Sequence, residues 1–381
     1  MSGLPEPRKR ILFVINSLVG GGAERVMLTL LAASESMRSE YDFSLALLDD
    51  IERRYDPPAG LRIHQLDARL GLVRSIRELS RLVAKERPHA TVSFLTRSNV
   101  ATVAVAKRYG HRAIISERTH TSGHFDRGVR DVLPKRIVRV SYPAADHIIA
   151  VSRGIADDLS DNFGVDPAKI STIANPIASA SIRAAASEPW ISPVNGPYGV
   201  VVGRLIEGKN VTMLVEALAA SGLDMSLVVV GEGPERERIL ARAASLGIQN
   251  KVILTGFLSN PFPIVRTAAC YLSASNREGF PNGLVEALTL GVPTVATNCA
   301  YGPSEVLDDK RREEIVGLHH GKYGIVAPLG DVQRMAEAMR AMADPNVARK
   351  YAEAGPVRAR AFDVEIATQR YWEVITRVLG A

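Results

Sequence analysis

The amino-acid sequence predicts an α/β fold of two domains, each built on a doubly wound parallel sheet. Three observations predict this fold. The 381 residues exceed the usual length of a single domain. Short apolar runs typical of buried strands alternate along the chain with segments of helical period. Glycine-rich loops follow several of the apolar runs, where parallel sheets present their ligand-binding edge.

The first half of the chain begins with a strand, a loop of three glycines at 20–22 and a helix. A glycine-rich loop before a helix suits a phosphate, although close packing of the helix on the strand would also explain it. The expected strands are 11–15, 43–48, 90–95, 113–116 and 147–152, the last strand of this half. The expected helices are 23–33, 70–85, 99–109 and 129–142.

The second half repeats the alternation after a connection at 175–197 that is rich in Ala, Ser and Pro. The expected strands are 198–203, 226–230, 252–255, 270–274 and 293–297. The expected helices are 211–219, 235–246, 264–268, 282–290, 332–343 and 364–379, with loops or short strands at 302–305 and 324–330. These elements predict domains at 1–185 and 186–363 and a C-terminal helix at 364–381 that returns to the first domain.

Composition indicates a globular protein, with 46% hydrophobic and 23% charged residues. The only cysteines, Cys270 and Cys299, lie in or just after expected buried strands, which argues against a disulfide framework and favours a reducing cytosol. The apolar run after the basic residues 8–10 ends at Asn16 without a cleavage pattern, so we do not expect a signal peptide. No run reaches the roughly 20 apolar residues of a membrane-spanning helix. We expect a cytoplasmic protein that meets a membrane only peripherally.

Positive charge is concentrated in the first half of the chain. Residues 1–186 contain 27 Lys and Arg against 20 Asp and Glu, whereas the remaining residues contain 20 against 21. Aromatic residues make up only 6%, and no nucleic-acid-binding module is present, so nucleic acid is not the expected partner. An anionic membrane surface or a phosphorylated acceptor fits this charge better.

The stretch 275–297 predicts a loop, a helix and a strand, directly after the strand at 270–274. Glu278 falls in the loop and Glu286 in the first turn of the helix, so both carboxylates would face the carboxyl edge of the sheet. They would hold two parts of one polyhydroxylated ligand, and the free amides between them would face an anion or a hydroxyl group. One glutamate pair alone would better fit a solvated acidic loop followed by an ordinary surface helix.

Several motifs in the second half resemble those of the family-4 retaining glycosyltransferases, also called group 1. Their order and spacing match the family over most of residues 198–345, and the combination is specific. The motifs are 203–210 (GRLIEGKN), 231–234 (GEGP), 256–257 (GF), 278–286 (EGFPNGLVE) and 324–331 (GIVAPLGD). The resemblance implies the GT-B fold, in which two Rossmann-like domains face each other across a cleft.

The resemblance also implies a reaction and a role for each motif. A sugar would pass with retention from a nucleoside-diphosphate donor, favoured to be a UDP-hexose or UDP-N-acetylhexosamine, to a glycan or lipid-linked acceptor in the basic first domain. Arg204 and Lys209 would stabilise the departing diphosphate. Glu278 would hold the donor sugar, Glu286 the ribose and the backbone near Phe257 the base. Further donor contacts are expected from Gly21, Gly22, Gly203, Gly231, Gly279, Phe280, Pro281, Asn282, Gly283 and Leu284.

The first domain departs from the family at one point, where many members carry a histidine after a strand. Here the strand 113–116 is followed by Glu117, Arg118, Thr119 and His120, which would face the ligand crevice. Which of them takes the role of that histidine is left open: Glu117 occupies the aligned position, Arg118 would touch phosphate, and His120 is the histidine if it is shifted. Each of the three would otherwise be an ordinary loop residue. Since the cations at Arg204 and Lys209 serve the diphosphate, we expect neither a metal nor another cofactor.

Three other classes of protein share parts of this pattern. A nicotinamide-dependent oxidoreductase would need a third glycine where Arg236 stands. A nucleotide-sugar epimerase of the same architecture would act on the donor without an acceptor. A non-catalytic nucleotide-sugar-binding relic would not need every charged group aimed at the leaving phosphate.

Overall fold

The computed structural model describes residues 8–125 and 131–380, which form two compact units. The described residues up to Pro176 form the first unit together with those from Val364 onward, and Ile177–Asp363 form the second. Each unit contains one seven-stranded, mainly parallel sheet with helices around it, which confirms the predicted α/β fold class. Among the described residues, no helix combines the length and apolar character needed to cross a bilayer.

The sheet of the first unit is entirely parallel, with the strand order β3-β2-β1-β4-β5-β6-β7. The expectation that the strand at 147–152 is the last of this half was wrong, because β7 follows it at the sheet edge. The short edge strands β3 and β7 were not predicted. The strands are β1 Lys9–Ile15, β2 Tyr41–Leu47, β3 Arg62–Gln65, β4 Ala90–Phe94, β5 Arg112–Glu117, β6 His147–Ala150 and β7 Ile170–Thr172.

Helices cover both faces of this sheet. They are α1 Gly22–Ala33, α2 Leu72–Glu86, α3 Thr96–Tyr109, α4 Thr121–His124, α5 Val132–Ser141, α6 Arg153–Phe163 and, from the end of the chain, α15 Val364–Val378. The predicted start of α5 at 129 lies outside the described residues. α6 was not predicted, although Ser152 provides a recognisable start by accepting a hydrogen bond from the Ile155 amide.

The alternation of side chains along β1 divides the core of the first unit between the two faces of the sheet. Phe13 lies in a cluster with side chains of α1 and α15, whereas Leu12 and Val14 lie in a second cluster with side chains of α2 and α3. α15 contributes Trp372, which packs on the Phe13 ring at 6.4 Å and donates a hydrogen bond to Ser34 Oγ at 2.8 Å. The C-terminal helix is therefore part of the first unit's core.

The second unit has the strand order β10-β9-β8-β11-β12-β14-β13. It is parallel except for β13, which pairs antiparallel with β14. Its strands are β8 Tyr198–Val202, β9 Ser226–Val230, β10 Val252–Gly256, β11 Cys270–Ser273, β12 Thr294–Thr297, β13 His319–His320 and β14 Ile325–Ala327. Its helices are α7 Ser179–Ala185, α8 Val211–Ser221, α9 Arg236–Ser245, α10 Phe262–Arg266, α11 Asn282–Thr289, α12 Pro303–Asp308, α13 Val332–Met342 and α14 Pro345–Ala359.

Three features of the second unit differ from the sequence-based expectations. The chain enters this unit after Pro176, before the expected boundary at 185, because α7 packs against α10 and α11. The segment 302–305, expected to be a loop or short strand, begins the helix α12. α14 was not predicted, since Pro356 lies inside it and proline usually interrupts a helix.

His147 gives the first unit a pH-dependent stability. Its imidazole is buried in β6, with Nε2 2.9 Å from Ser171 Oγ and 3.4 Å from Nη2 of Arg377 on α15. Burial and, secondarily, the Arg377 charge lower the pKa of His147 to about 4. The unfolded chain takes up a proton at about pH 6.5, but the folded chain does not until about pH 4, so this contribution is complete above pH 6.5 and is lost as the pH falls.

We therefore expect His147→Gln to reduce the pH dependence of stability. Between pH 7 and pH 4.5 the wild type should lose roughly 2 kcal/mol more unfolding free energy than the variant. Urea unfolding at the two pH values measures this difference and cancels the contributions of the other histidines. Equal losses of unfolding free energy in the wild type and in His147→Gln would contradict the assignment of this pH dependence to His147.

Candidate active site

The candidate site of the second unit lies where its strand order reverses, between β8 and β11. The chain proceeds from β8 to β9 and β10 on one side, and from β11 to β12 and β14 on the other. Open α/β sheets bind their ligands outside the carboxyl ends of the strands at such a point. The loops that follow β8 and β11 meet here, since the Asn276 amide donates a hydrogen bond to the Gly208 carbonyl at 2.8 Å.

An ion pair between Lys209 and Glu278 joins these two loops. Lys209 Nζ contacts Oε1 of Glu278, and the two side chains are 32% and 13% exposed. Ser275 Oγ donates to the same carboxylate oxygen at 2.7 Å. Oε2 of Glu278 accepts no hydrogen bond from any residue in the described part of the chain. Glu278 is thus anchored through one oxygen, and its other oxygen is available to a ligand.

Arg204 lies on the same loop as Lys209, immediately after the strand end. Its side chain is exposed and makes no hydrogen bond or ion pair within the described ranges. A guanidinium in this position retains all its donors for a ligand, and its fork geometry suits phosphate. The structure therefore places both predicted cations on the loop after β8.

Glu286 lies deeper than Glu278. It is the fifth residue of α11, one position beyond the predicted first turn, and is 8% exposed. Burial, followed by the charges of Glu286 and Glu278, raises the pKa of the Tyr271 hydroxyl well above its usual value. Because both charges act on this one hydroxyl, both carboxylates lie near Tyr271. Sequence reasoning missed Tyr271 and Ser275, although both sit in or directly after the strand that precedes the motif.

Glycines allow the loops to approach each other closely. A Cβ on Gly231, whose φ is +143°, would lie 1.9 Å from the Gly203 carbonyl oxygen. A Cβ on Gly283 would lie 2.3 Å from the Tyr271 hydroxyl. Both distances are far shorter than a non-bonded contact. A side chain at Gly231 would push the ends of β8 and β9 apart, and one at Gly283 would push the start of α11 away from the Tyr271 hydroxyl. Both glycines are thus required by space, and Gly231 is required by its positive φ as well.

The other predicted donor-binding residues surround this edge with different exposures. Phe257 is 68% exposed, and its amide donates to Glu232 Oε1 at 3.4 Å. Phe280 is buried and packs edge-to-face on Phe362, with ring centroids 5.3 Å apart. Leu284 is fully buried, so only its backbone could contact a donor. The remaining members lie in the loop or at the start of α11: Gly279, Pro281 and Asn282.

The other predicted site residues lie in the first unit. Gly21 caps α1 and Gly22 is its first residue, at the carboxyl end of β1, and their contact with a donor stays a prediction. His120 is half-buried and precedes α4. A Cβ on Gly123 would lie only 2.7 Å from Nδ1 of His120, so α4 folds back onto the imidazole.

The expectation that Glu117 faces an open crevice was wrong. Glu117 is 1% exposed, and its carboxylate accepts hydrogen bonds from the Tyr142 hydroxyl at 2.5 Å, the Thr119 hydroxyl at 2.8 Å and the amides of Arg118 and Thr119. Burial and the Glu117 charge raise the pKa of Tyr142 well above its ordinary value. Glu117 is therefore saturated by neighbours that hold the loop after β5.

The same expectation was wrong for Arg118, which is 7% exposed. Its guanidinium donates to the Ser116 hydroxyl at 3.1 Å, the Tyr371 hydroxyl at 3.0 Å and the Asn175 amide oxygen, and it lies 4.2 Å from the Phe94 ring centroid. These contacts use the donors that a phosphate would need. Arg118 joins strand ends to α15 within the first unit.

We expect Glu117→Gln to change stability rather than turnover. The substitution removes the negative charge that strengthens the hydrogen bonds accepted by this buried side chain, and it should cost about 1–3 kcal/mol of unfolding free energy. The kcat of the folded variant should stay within about threefold of the wild type. Denaturant unfolding and a turnover assay on the same preparation measure both quantities. A large fall in kcat at unchanged stability would restore a catalytic role.

Comparison with known proteins identifies the class to which this geometry belongs. The family model for Glycosyl transferases group 1 matches residues 183–358, and the model for Glycosyltransferase Family 4 matches residues 20–180. Together the two matches account for most of both units. Both units therefore match glycosyltransferase families, and the chain belongs to the glycosyltransferases.

Particular relatives and solved structures extend over most of the chain or over part of it. The N-acetylgalactosamine-N,N'-diacetylbacillosaminyl-diphospho-undecaprenol 4-alpha-N-acetylgalactosaminyltransferase of Campylobacter jejuni is 29% identical, covering 93% of this chain and 96% of its own. The lipopolysaccharide 1,6-galactosyltransferase of Salmonella typhimurium is 31% identical over 43% of this chain and 46% of its own. Anabaena HepE, solved with UDP and glucose, shares the fold with a TM-score of 0.76 at 18% identity, covering 97% of this chain and 100% of its own.

Proposed function

We propose that this glycosyltransferase moves a hexose or N-acetylhexosamine from a UDP-sugar, with retention of configuration, to a glycan or lipid-linked acceptor. The observation that carries the proposal is the arrangement at the β8–β11 switch point. There, Lys209 and Arg204 lie on one loop, and Glu278 presents an unused carboxylate oxygen from the other. Cations for a leaving diphosphate and an acceptor for sugar hydroxyls are what this transfer requires.

In the proposed reaction the bond between the anomeric carbon and the UDP oxygen breaks, and negative charge develops on the diphosphate. Arg204 and Lys209 stabilise this charge, so their contribution is largest in the transition state. The diphosphate would compete with Glu278 for Lys209, and the carboxylate would then turn to the sugar hydroxyls. The leaving phosphate assists attack by the acceptor hydroxyl from the same face and takes its proton. No protein nucleophile or metal is part of this proposal.

The acceptor and the location of the protein are proposed from its relatives and its charge. The Campylobacter jejuni relative is named for a diphospho-undecaprenol acceptor, and the Salmonella typhimurium relative for lipopolysaccharide. Residues 1–186 of this chain carry the excess of positive charge that an anionic, lipid-linked acceptor needs. We therefore propose a role in glycolipid or polysaccharide synthesis at the cytoplasmic membrane face.

The proposal is tested by incubating the protein with UDP-hexoses and UDP-N-acetylhexosamines, with and without polyprenyl-diphosphate-linked sugars. Mass spectrometry of the acceptor detects transfer, and proton NMR of the new linkage gives its anomeric configuration. Transfer with an inverted anomer would refute retention. An isomerised donor in the absence of acceptor would instead identify an epimerase.

We expect UDP-sugars to stabilise the protein against heat, since a ligand that binds only the folded state raises the melting temperature. UDP conjugates should produce larger shifts than GDP or ADP conjugates. Arg204→Ala should weaken UDP binding about tenfold, as expected for the loss of one charge-assisted hydrogen-bonding group. The matched control is Arg334→Ala, an exposed arginine paired with Glu337 on α13. Equal affinities in both variants would remove Arg204 from the site.

A further inference from the structure

A cavity of about 470 Å³ opens at the carboxyl edge of the first unit's sheet, where the strand order reverses between β1 and β4. Its lining is mostly apolar and includes Leu72 of α2, Val100 of α3, and Ile137 and Val138 of α5. A cavity of about 150 Å³ lined by such residues is large enough for benzene. This cavity therefore has room for about three groups of that size.

The charged group in the cavity wall is already neutralised. Arg97 forms an ion pair with Asp49, whose side chain is 2% exposed, and also donates to Ser75 Oγ at 3.1 Å. The second role of Asp49 is to accept the Leu70 amide at 2.8 Å. This bond holds Leu70 at a φ of +59°, which is uncommon for a leucine. The wall is thus preorganised and offers no free charge, which suits a hydrocarbon better than a phosphate.

Exposed apolar side chains are concentrated at two of the three helices that line the cavity, α2 and α5. In the described part of the first unit, the five most exposed large apolar side chains all lie at the start of α2 or on α5 and are 63–80% exposed. They are Leu70, Val73, Val132, Leu133 and Val140. Exposed apolar side chains collected on two helices that line one cavity suit a surface that binds a partner or a lipid.

Unpaired cations stand among these apolar side chains. Arg74 and Arg77 follow Val73 on α2, and Lys135 and Arg136 follow Leu133 on α5. None of the four forms an ion pair within the described ranges. An apolar cavity whose lining helices α2 and α5 also carry unpaired cations complements an amphiphile that has a hydrocarbon chain and a phosphate head.

We propose that this cavity binds the first hydrocarbon segment of a lipid-phosphate acceptor, with its phosphate among the cations of α2 and α5. The inference rests on the proposed function, because it names the lipid part of the acceptor. Binding the hydrocarbon chain in a fixed cavity would restrict the position of the acceptor sugar more than adsorption to a bilayer surface would. Less translational and rotational entropy would then be lost on reaching the transition state.

Binding of farnesyl phosphate to the full-length protein, measured by calorimetry without any donor, tests the proposal. Ile137→Trp fills the cavity, and Val357→Trp places the same side chain at a 61% exposed position on α14 as a control. We expect Ile137→Trp to weaken farnesyl phosphate binding at least tenfold and Val357→Trp to leave it unchanged. Inorganic phosphate should bind far more weakly than farnesyl phosphate to the wild type.

A second, milder variant protects the test against misfolding. Leu70→Asp changes an exposed side chain at the mouth and should weaken farnesyl phosphate binding with an unchanged melting temperature. Equal binding by the wild type, Ile137→Trp and Leu70→Asp would overturn the proposal. Binding only to phosphatidylglycerol vesicles, unaffected by Ile137→Trp, would overturn it in favour of a bilayer surface.

Kinetics separate this inference from the proposed function. If transfer occurs, the preference in kcat/KM for a lipid-linked over a chain-free acceptor should fall at least tenfold in Ile137→Trp. An unchanged preference would refute the cavity assignment while leaving the transferase proposal intact. Absence of transfer to any acceptor, with farnesyl phosphate binding still lost in the variant, would refute the proposed function and support the cavity.

Discussion

Lys209→Ala is expected to lower kcat by about 10²–10³, because it removes a preorganised cation from the place where diphosphate charge develops. The fold should survive, since Lys209 lies on a loop and its side chain is 32% exposed. Glu278 keeps its hydrogen bond from Ser275 after the substitution. The expected effect is therefore on turnover, and steady-state kinetics with a saturating UDP-sugar measures it.

The matched control is Lys251→Ala in the same unit. Lys251 precedes β10 and pairs with the exposed Asp224, at 3.1 Å, away from the carboxyl edge of the sheet. The kcat of Lys251→Ala should stay within about twofold of the wild type, because an exposed ion pair contributes little free energy. Turnover of Lys209→Ala equal to that of this control would contradict the assignment of Lys209 to the leaving group.

Gly231→Ala is expected to abolish UDP binding and to destabilise the second unit by at least about 3 kcal/mol. The new Cβ would lie 1.9 Å from the Gly203 carbonyl oxygen, so the ends of β8 and β9 would have to separate. The positive φ adds backbone strain to this clash. Denaturant unfolding and calorimetric titration with UDP measure the two effects.

Gly247→Ala separates the contribution of backbone strain from that of the clash. Gly247 also has a positive φ, +71°, but a Cβ there would meet no atom within 4 Å. Its substitution should cost only about 1–2 kcal/mol and leave UDP binding unchanged. Similar losses of unfolding free energy and of UDP affinity in both glycine variants would show that the site does not depend on the close approach of the strand ends.

Apart from α6, which was missed although it buries an apolar stripe, the sequence predicted the strands and helices with a clear apolar pattern but not those with weaker signals. β3 and β7 are short edge strands with largely unburied side chains, so their sequences lack the apolar run of a central strand. α7 lies in a segment rich in Ala and Ser, in which Ile182 is the large buried side chain. α14 has a clear N-terminal signal in Asp344 and Pro345, but Pro356 inside it argues against a helix at the level of the sequence.

The candidate site was predictable in its motifs but not in its contacts. Lys209 and Glu278 are 69 positions apart in sequence, and only the reversal of strand order between β8 and β11 brings them together. The burial of Arg118 depends on Asn175 and Tyr371, which come from two distant segments. The local sequence after β5 therefore indicated polar side chains that would bind a ligand, whereas in the fold these side chains are already paired with other protein groups.

Hydrogen exchange with and without UDP locates the donor site without requiring the acceptor. We expect UDP to protect backbone amides in the loop 203–210 and in 278–286, and Lys209→Ala to reduce this protection. The amide exchange of α9 and α13 should change little. Protection confined to other segments, or none at a saturating UDP concentration, would contradict a donor site at the β8–β11 switch point.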